Sequence, residues 1–429
     1  MKKKTKEKKL RQKFFLRTRI DVNFLLAVIF INVIGLVMIY SASYYYAESA
    51  YGYKPSHFFE NQLLYVLPGI VFMILVSYFR PTFFRKFWYI GLFASLLLLI
   101  AVRIPGVGHS SHGAYRWIKI FGFQLQVAEP IKLFMILFLA GAMTAFRITN
   151  WKTRLILIGI CAVIAGMLLV LSNNMSTAII VFLMMFFMMM LTYPRTKWFW
   201  IAIGIAFSVV LLAVVIILIV PYQPTENFRI TRIRAWLDPS NELYVADEAY
   251  QATQALYAIA SGGFFGKGLG QSLLKFKLPE PHNDYSLAII FEELGIFGVL
   301  ILTYLFIYLL YKIFRVYTEC RDRFSKLMVL GVFFHLAIQI TLNYAVTLGL
   351  FPTMGVTLPF ISAGGASAFF TLAELGLVMS VDRQNTENRL YRQAREEVET
   401  DDPYYKQLVH EARELRTARK EAEKEHDNG

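Results

Sequence analysis

Uninterrupted apolar runs of about twenty residues dominate this sequence, and that is the length an α-helix needs to cross roughly 30 Å of hydrocarbon. Ten such runs are read, near residues 24–43, 63–79, 87–102, 128–146, 155–171, 176–193, 198–220, 286–313, 327–348 and 358–381. Lipid offers no hydrogen bonds, so each run has to close its backbone bonds within itself, as a helix does. The expected fold class is therefore an all-α polytopic membrane protein of about ten transmembrane helices. Apolar residues make up 56% of the 429 in the chain.

Lys and Arg in short flanks stay on the cytoplasmic side of a membrane. Residues Lys2 to Arg19, Arg80 with Arg85 and Lys86, Arg147 with Lys152 and Arg154, Arg195 with Lys197, and Arg315 to Lys326 all fall on one side when ten spans are counted. Both termini are then cytoplasmic. The division expected is a basic arm over 1–20, a membrane domain over 21–383 and a charged cytoplasmic tail over 384–429. Arg103, Arg116 and Lys119 land on the opposite, outward side, which marks them as functional candidates.

The net charge of +14 sits mostly in the amino-terminal arm and inner loops, where topology and anionic lipid headgroups account for it; nucleic acid is not expected as a partner. Cys161 lies mid-span and Cys320 in an inner loop, so no disulfide framework is available. A basic region ahead of the first run and Ser41-Ala42-Ser43 after it imitate a signal peptide. The apolar stretch is long for that purpose and nine more follow, so an uncleaved anchor is expected.

The longest connection is the outward loop 221–284. Within it, Tyr250 to Ala260 has helical spacing of apolar residues. Gly262, Gly263, Gly266, Gly268 and Gly270 then suit a backbone bent tightly against the membrane face. These glycines lack P-loop spacing and a preceding strand, so an ATP site is not expected, although Lys267 and nearby amides can meet a phosphate. At the entrance of the eighth run, Pro279 and Pro281 hold an extended segment that presents Glu280, His282 and Asp284. Asp284 suits a helix cap or a base that takes a proton from a hydroxyl.

Within the spans, Glu129 and Lys132 share a helix face and can neutralise each other, either fixing helix packing or serving a substrate. Glu292, Glu293, His335, Gln339, Asn343 and Glu374 are further polar groups at membrane depth. Leu358-Pro359-Phe360-Ile361-Ser362 with Gly364-Gly365 interrupts the last run in a way that lets backbone or ligand approach closely.

In order and spacing, these pieces resemble the SEDS family (shape, elongation, division and sporulation), the glycosyltransferases that include FtsW, RodA and SpoVE. Ser41-Ala42-Ser43, Tyr115-Arg116-Trp117, Gln126 with Glu129 and Lys132, Tyr250-Gln251, Gly266-Lys267-Gly268, Leu278 to Asp284, Glu292-Glu293-Leu294-Gly295, Gln339 with Asn343, and Leu358 to Gly365 carry the match. Gly266 to Ser272 looks more like the division and sporulation branch than the elongation branch.

The resemblance implies a peptidoglycan glycosyltransferase that polymerises lipid II at the outer face of the bacterial cytoplasmic membrane. Implied partners are a class B penicillin-binding transpeptidase and other division or elongation proteins. Asp284 is implied as the catalytic base. Arg116, Glu129, Lys132, Lys267, Glu280, His282 and Ser362 are expected to contact lipid II sugar or pyrophosphate. No protein-held metal is expected, although a divalent cation such as Mg2+ can travel with the pyrophosphate.

Departures from the family pattern are Ser172-Asn173-Asn174-Met175-Ser176-Thr177 for Gln-Pro-Asp-Leu-Gly-Thr, Gln126-Val127-Ala128-Glu129 for Gln-Pro-Ser-Glu, and Asn283 for a threonine. A lipid II flippase and a non-catalytic division scaffold acting through the tail are the competing readings.

Overall fold

The computed structural model describes residues 20–396 except 53, 112–113, 121–122, 147–148, 194–196, 221–227, 240–249 and 279, together with parts of 407–418. The amino-terminal arm, Arg147, Arg195, Pro279 and most of the tail beyond Glu396 lie outside the described residues.

The bundle opens with α1 (Val22–Tyr51), α2 (His57–Ser77), a short α3 (Pro81–Lys86) and α4 (Trp88–Ala101). Three short strands follow, β1 (Gly108–Ser111), β2 (Ala114–Ile120) and β3 (Phe123–Gln126), paired antiparallel in the order β1-β2-β3. Next come α5 (Ala128–Ala145), α6 (Trp151–Leu171), α7 (Met175–Thr192) and α8 (Lys197–Ile219). The long connection contributes α9 (Phe228–Leu237) and α10 (Tyr250–Gly262), and the chain closes with α11 (Ser286–Glu319), α12 (Arg323–Thr347) and α13 (Gly365–Glu396). The protein is an all-α polytopic membrane protein, and the one small sheet among the described residues sits in a connection.

Among the described residues, nine helices are long and apolar enough to span a membrane. A shorter apolar helix, α4, has 14 residues that reach about 21 Å. Just before it, Arg80 bonds Glu387 at 2.8 Å and Arg85 lies 3.5 Å from Asp322. Just after it, Arg103 donates to the carbonyls of Leu171 and Val170 at 2.7 and 2.9 Å. With α4 joining these two ends, the nine long helices and this shorter one among the described residues match the ten apolar runs of the sequence. Outward faces carry large apolar side chains such as Leu97 (67% exposed) and Val170 (69%), an arrangement that suits lipid and not water. The interior packs α2 on α13, α4 on α5, and α12 on α5, α7 and α11.

The tenth apolar run, 358–381, does not begin as helix. Residues 357–364 form an irregular turn, with Phe360 in the left-handed region (φ 67) and Leu358 N–H bonded to Ser362 Oγ. The helix starts only at Gly365, and it runs without a break past residue 383 to Glu396, with Arg383, Asn385 and Glu387 buried.

Gly295 interrupts α11 with φ 68 and ψ −171, a conformation essentially confined to glycine. The break frees backbone groups, which the glycine-rich segment satisfies. Lys267 and Gly268 N–H donate to Glu292 and Glu293 carbonyls at 2.9 Å, and Ile296 and Phe297 N–H donate to Gly263 and Phe264 carbonyls at 3.1 and 3.0 Å. A Cβ on Gly295 would collide with Phe264 O and Gly266 N. Gly295→Ala is expected to undock this segment, and limited proteolysis would report it as new cleavage around 262–272.

Candidate functional site

The segment leading into α11 is held from three sides. Asn343 Nδ2 donates to the Asp284 carbonyl at 3.1 Å and to the Val356 carbonyl at 2.7 Å, joining this segment to the turn after α12. Ser176 Oγ donates to the Gly355 carbonyl at 3.0 Å, and a Cβ at Gly355 would come within 3.3 Å of Asp284 Oδ2. His282 packs against Phe58 in a tilted contact with ring centroids 4.2 Å apart, and its carbonyl accepts from Ala363 N–H at 2.8 Å. Burial pushes the His282 imidazole down to about 4, so it is neutral near pH 7. Glu280, in the left-handed region, accepts from Asn283 Nδ2 at 2.7 Å.

Asp284 has a free carboxylate. The N-cap of α11 is Tyr285, with no side-chain cap bond, so Asp284 does not cap the helix. Among the described residues nothing donates a hydrogen bond to it, and only burial and charge act on it. Burial raises its pKa to about 6, opposed by Arg116 and Arg232 and assisted by Glu280.

The cations come from two separate elements. Arg116, on β2, donates from Nη2 to the Asn173 carbonyl at 3.0 Å, and among the described residues its buried Nε has no partner. Asn173 takes the left-handed region (φ 50), which turns that carbonyl toward the arginine. Helix α9 is anchored by Arg234 Nη2 on the Val220 carbonyl at 2.7 Å and by Trp236 Nε1 on the Gly349 carbonyl at 2.8 Å. Arg229 and Arg232, three apart on that helix, act electrostatically on Arg116, and Arg232 also acts on Asp284. Arg229 and Arg232 were absent from the sequence-derived site. Their signal was a run of arginines in an outward loop, where topology does not call for them.

Below this cluster, Lys132 Nζ is 3.0 Å from Glu129 Oε2 and 3.0 Å from Gln339 Oε1, all three side chains being buried. Ser362 Oγ meets Ser286 Oγ at 2.8 Å and accepts from Leu358 N–H, so it ties the turn 358–362 to the start of α11. Lys267 is engaged elsewhere, in an ion pair with Glu292 at 2.7 Å and a hydrogen bond to Ser261. Glu293 accepts from Ser41 Oγ at 2.6 and 2.7 Å. These contacts make Lys267, Glu292 and Glu293 the fastening of the glycine-rich segment to α11 and α1. Among the described residues no three His, Cys, Asp or Glu converge as a metal site.

The family model of the FtsW, RodA and SpoVE cell cycle proteins matches residues 22–387. The chain belongs to that family. Similar curated relatives are the probable peptidoglycan glycosyltransferases FtsW of Thioalkalivibrio sp. (strain K90mix), 36% identical with 86% of this chain and 91% of the relative covered, and of Trichlorobacter lovleyi, 32% identical with 84% and 92% covered. A solved chain from a study of a peptidoglycan synthase complex that coordinates polymerization and crosslinking superposes with TM-score 0.69 at 25% identity, covering 86% of this chain and 98% of its own. The rod shape determining protein RodA of Thermus thermophilus shares the fold at TM-score 0.60 and 24% identity, with 86% and 98% covered.

Against the FtsW, RodA and SpoVE pattern, the departure at 172–177 is absorbed structurally. Asn174 stands where the aspartate is usual, and its Oδ1 still caps α7 by accepting from Thr177 N–H at 3.0 Å. Asn283, where a threonine is usual, fastens Glu280.

Proposed function

We propose that this chain polymerises lipid II into glycan strands at the outer face of the bacterial cytoplasmic membrane, for division or cell shape, with Asp284 as general base. The observation that carries this reading is a carboxylate with no hydrogen-bond donor among the described residues, raised to about 6, beside an arginine cluster at one end of a membrane bundle. A base of that strength is still ionised near pH 7, yet holds a proton about a hundredfold more tightly than an ordinary carboxylate. It takes the proton of the acceptor sugar's 4-hydroxyl as that oxygen bonds to the donor's anomeric carbon. Undecaprenyl pyrophosphate leaves with the electron pair of the broken bond.

Negative charge grows on the departing pyrophosphate, so preorganised cations lower the barrier. Arg116, Arg229 and Arg232 supply them, with Lys132 below; a divalent ion, where one is needed, arrives on the pyrophosphate. Glu280 and His282 shape the segment that aims Asp284. The class B penicillin-binding transpeptidase then crosslinks the product.

Purified protein given lipid II, alone or with a transpeptidase, is expected to yield glycan polymer resolvable by gel. No polymer under either condition would overturn the reading. Arg116→Met is expected to lower kcat at least tenfold, the value of one charge-assisted contact to the leaving group.

A further inference from the structure

Three polar residues stand four apart on α12, so His335, Gln339 and Asn343 form a ladder along one interior face. Hydrogen-bond chemistry fixes the state of its lower rungs. Gln339 Nε2 donates to the Thr357 carbonyl at 2.9 Å, and a carbonyl can only accept, so the amide has one possible orientation. Its Oε1 therefore faces Lys132 Nζ at 3.0 Å and His335 Nε2 at 2.8 Å. That oxygen carries no proton, so His335 Nε2 must. The other ring nitrogen, Nδ1, lies 2.6 Å from Glu374 Oε2, a contact that requires one further proton between the two atoms.

We propose that Glu374, His335 and Gln339 are positioning residues for glycosyl transfer, acting through Lys132. The proton shared by Glu374 and His335 locks the imidazole, the imidazole locks the Gln339 amide, and the amide holds Lys132 in register with the segment that carries Asp284. The link to Asp284 runs through the chain itself: Gln339 bonds Thr357, and Asn343, one turn along, bonds both neighbouring Val356 and Asp284. This rests on the reading of Asp284 as the base and of Lys132 as a cation serving the pyrophosphate.

Charge balance supports the assignment. Glu129 and Lys132 cancel, and Glu374 with His335 sums to zero whichever atom the shared proton sits nearer. These four buried titratable groups thus carry no net charge together, which low dielectric favours. The neutral amide of Gln339 meets both demands, accepting from two donors on one side and donating to Thr357 on the other.

The test follows lipid II polymerisation in full-length variants checked for folding by thermal melting and gel filtration. Gln339→Met removes the acceptor at nearly constant volume, and is expected to lower kcat about tenfold or more with KM little changed. Combined with Lys132→Met it should add nothing to the loss from Lys132→Met alone, because both act on one interaction. Glu374→Gln, whose amide can donate to Nδ1, should keep most of the wild-type rate, whereas Glu374→Met should fall with Gln339→Met. If Gln339→Met does not fold, Gln339→Asn, one methylene short of Lys132, carries the same comparison. Wild-type kcat in the folded Gln339 and Glu374→Met variants, or additive losses with Lys132→Met, would overturn the inference. So would a Glu374→Gln variant as slow as Glu374→Met. Should Asp284→Asn polymerise at the wild-type rate, the function itself is misread; should it be inactive while the ladder variants are normal, only this inference fails.

Discussion

Asp284→Asn is expected to lower lipid II polymerisation by about 10²- to 10⁴-fold, the usual contribution of a positioned general base, while the protein melts near the wild-type temperature. The carboxylate makes no hydrogen bond among the described residues and does not cap α11, so the substitution breaks no contact that supports the fold. The same geometry fixes the pH dependence. A base with pKa raised to about 6 is ionised above that pH, so the wild-type rate should fall tenfold per unit as pH drops below about 6 and level off above it. Neighbouring charges move this limb in opposite directions. Arg116 lowers the Asp284 pKa, so Arg116→Met should shift the limb to higher pH; Glu280 raises it, so Glu280→Gln should shift the limb to lower pH. A rate profile that ignores both substitutions would show that the limb belongs to another group.

Glu129→Met is expected to cost about 3–5 kcal/mol of stability, because it leaves the Lys132 ammonium buried without its counter-charge. The two side chains are 6% and 3% exposed and 3.0 Å apart, so solvent cannot replace the lost partner. Replacing both, as Glu129→Met with Lys132→Met, should recover most of that loss, since two apolar groups of similar length fill the same space without charge. Polymerisation should not recover with it. Thermal melting of the two variants beside a lipid II assay separates the contributions: a double variant that is both stable and active would reduce the pair to a packing device.

Much of the bundle was legible in the residues because lipid imposes one rule on every span. The runs 128–146 and 176–193 became α5 (Ala128–Ala145) and α7 (Met175–Thr192) nearly residue for residue. The run at 358–381 shows where that rule fails. Its first residues are apolar, yet Pro359, the left-handed Phe360 and the bonds of Ser362 turn them into an irregular segment against α11. Apolar character records only burial, and a buried turn whose bonds are satisfied by neighbouring helices looks the same in sequence as the start of a helix.

The site divides along the same line. Asp284, Glu129 and Lys132 stood out because a titratable group at or within a membrane is costly unless it meets a partner or a substrate. Their spacing predicted the ion pair of Glu129 and Lys132, which lie within one turn of helix. Lys267 was legible as a cation in a glycine-rich loop, yet its partner, Glu292, is 25 residues away and only the break at Gly295 brings the two segments together. Arg229 and Arg232 carried the signal of arginines in an outward loop, but their sequence does not say what they face; docking through Arg234 and Trp236 brings them to bear on Arg116.

By itself, then, the sequence determined the apolar spans, the family and the carboxylate at the bundle's end, since hydrocarbon length and the cost of buried charge act on residues one segment at a time. Which cations face Asp284, which lysine is tied into a loop, and how Glu374 reaches Lys132 through His335 and Gln339 were decided only by the tertiary structure. Those contacts join residues up to 207 positions apart in the chain, and packing alone sets such distances.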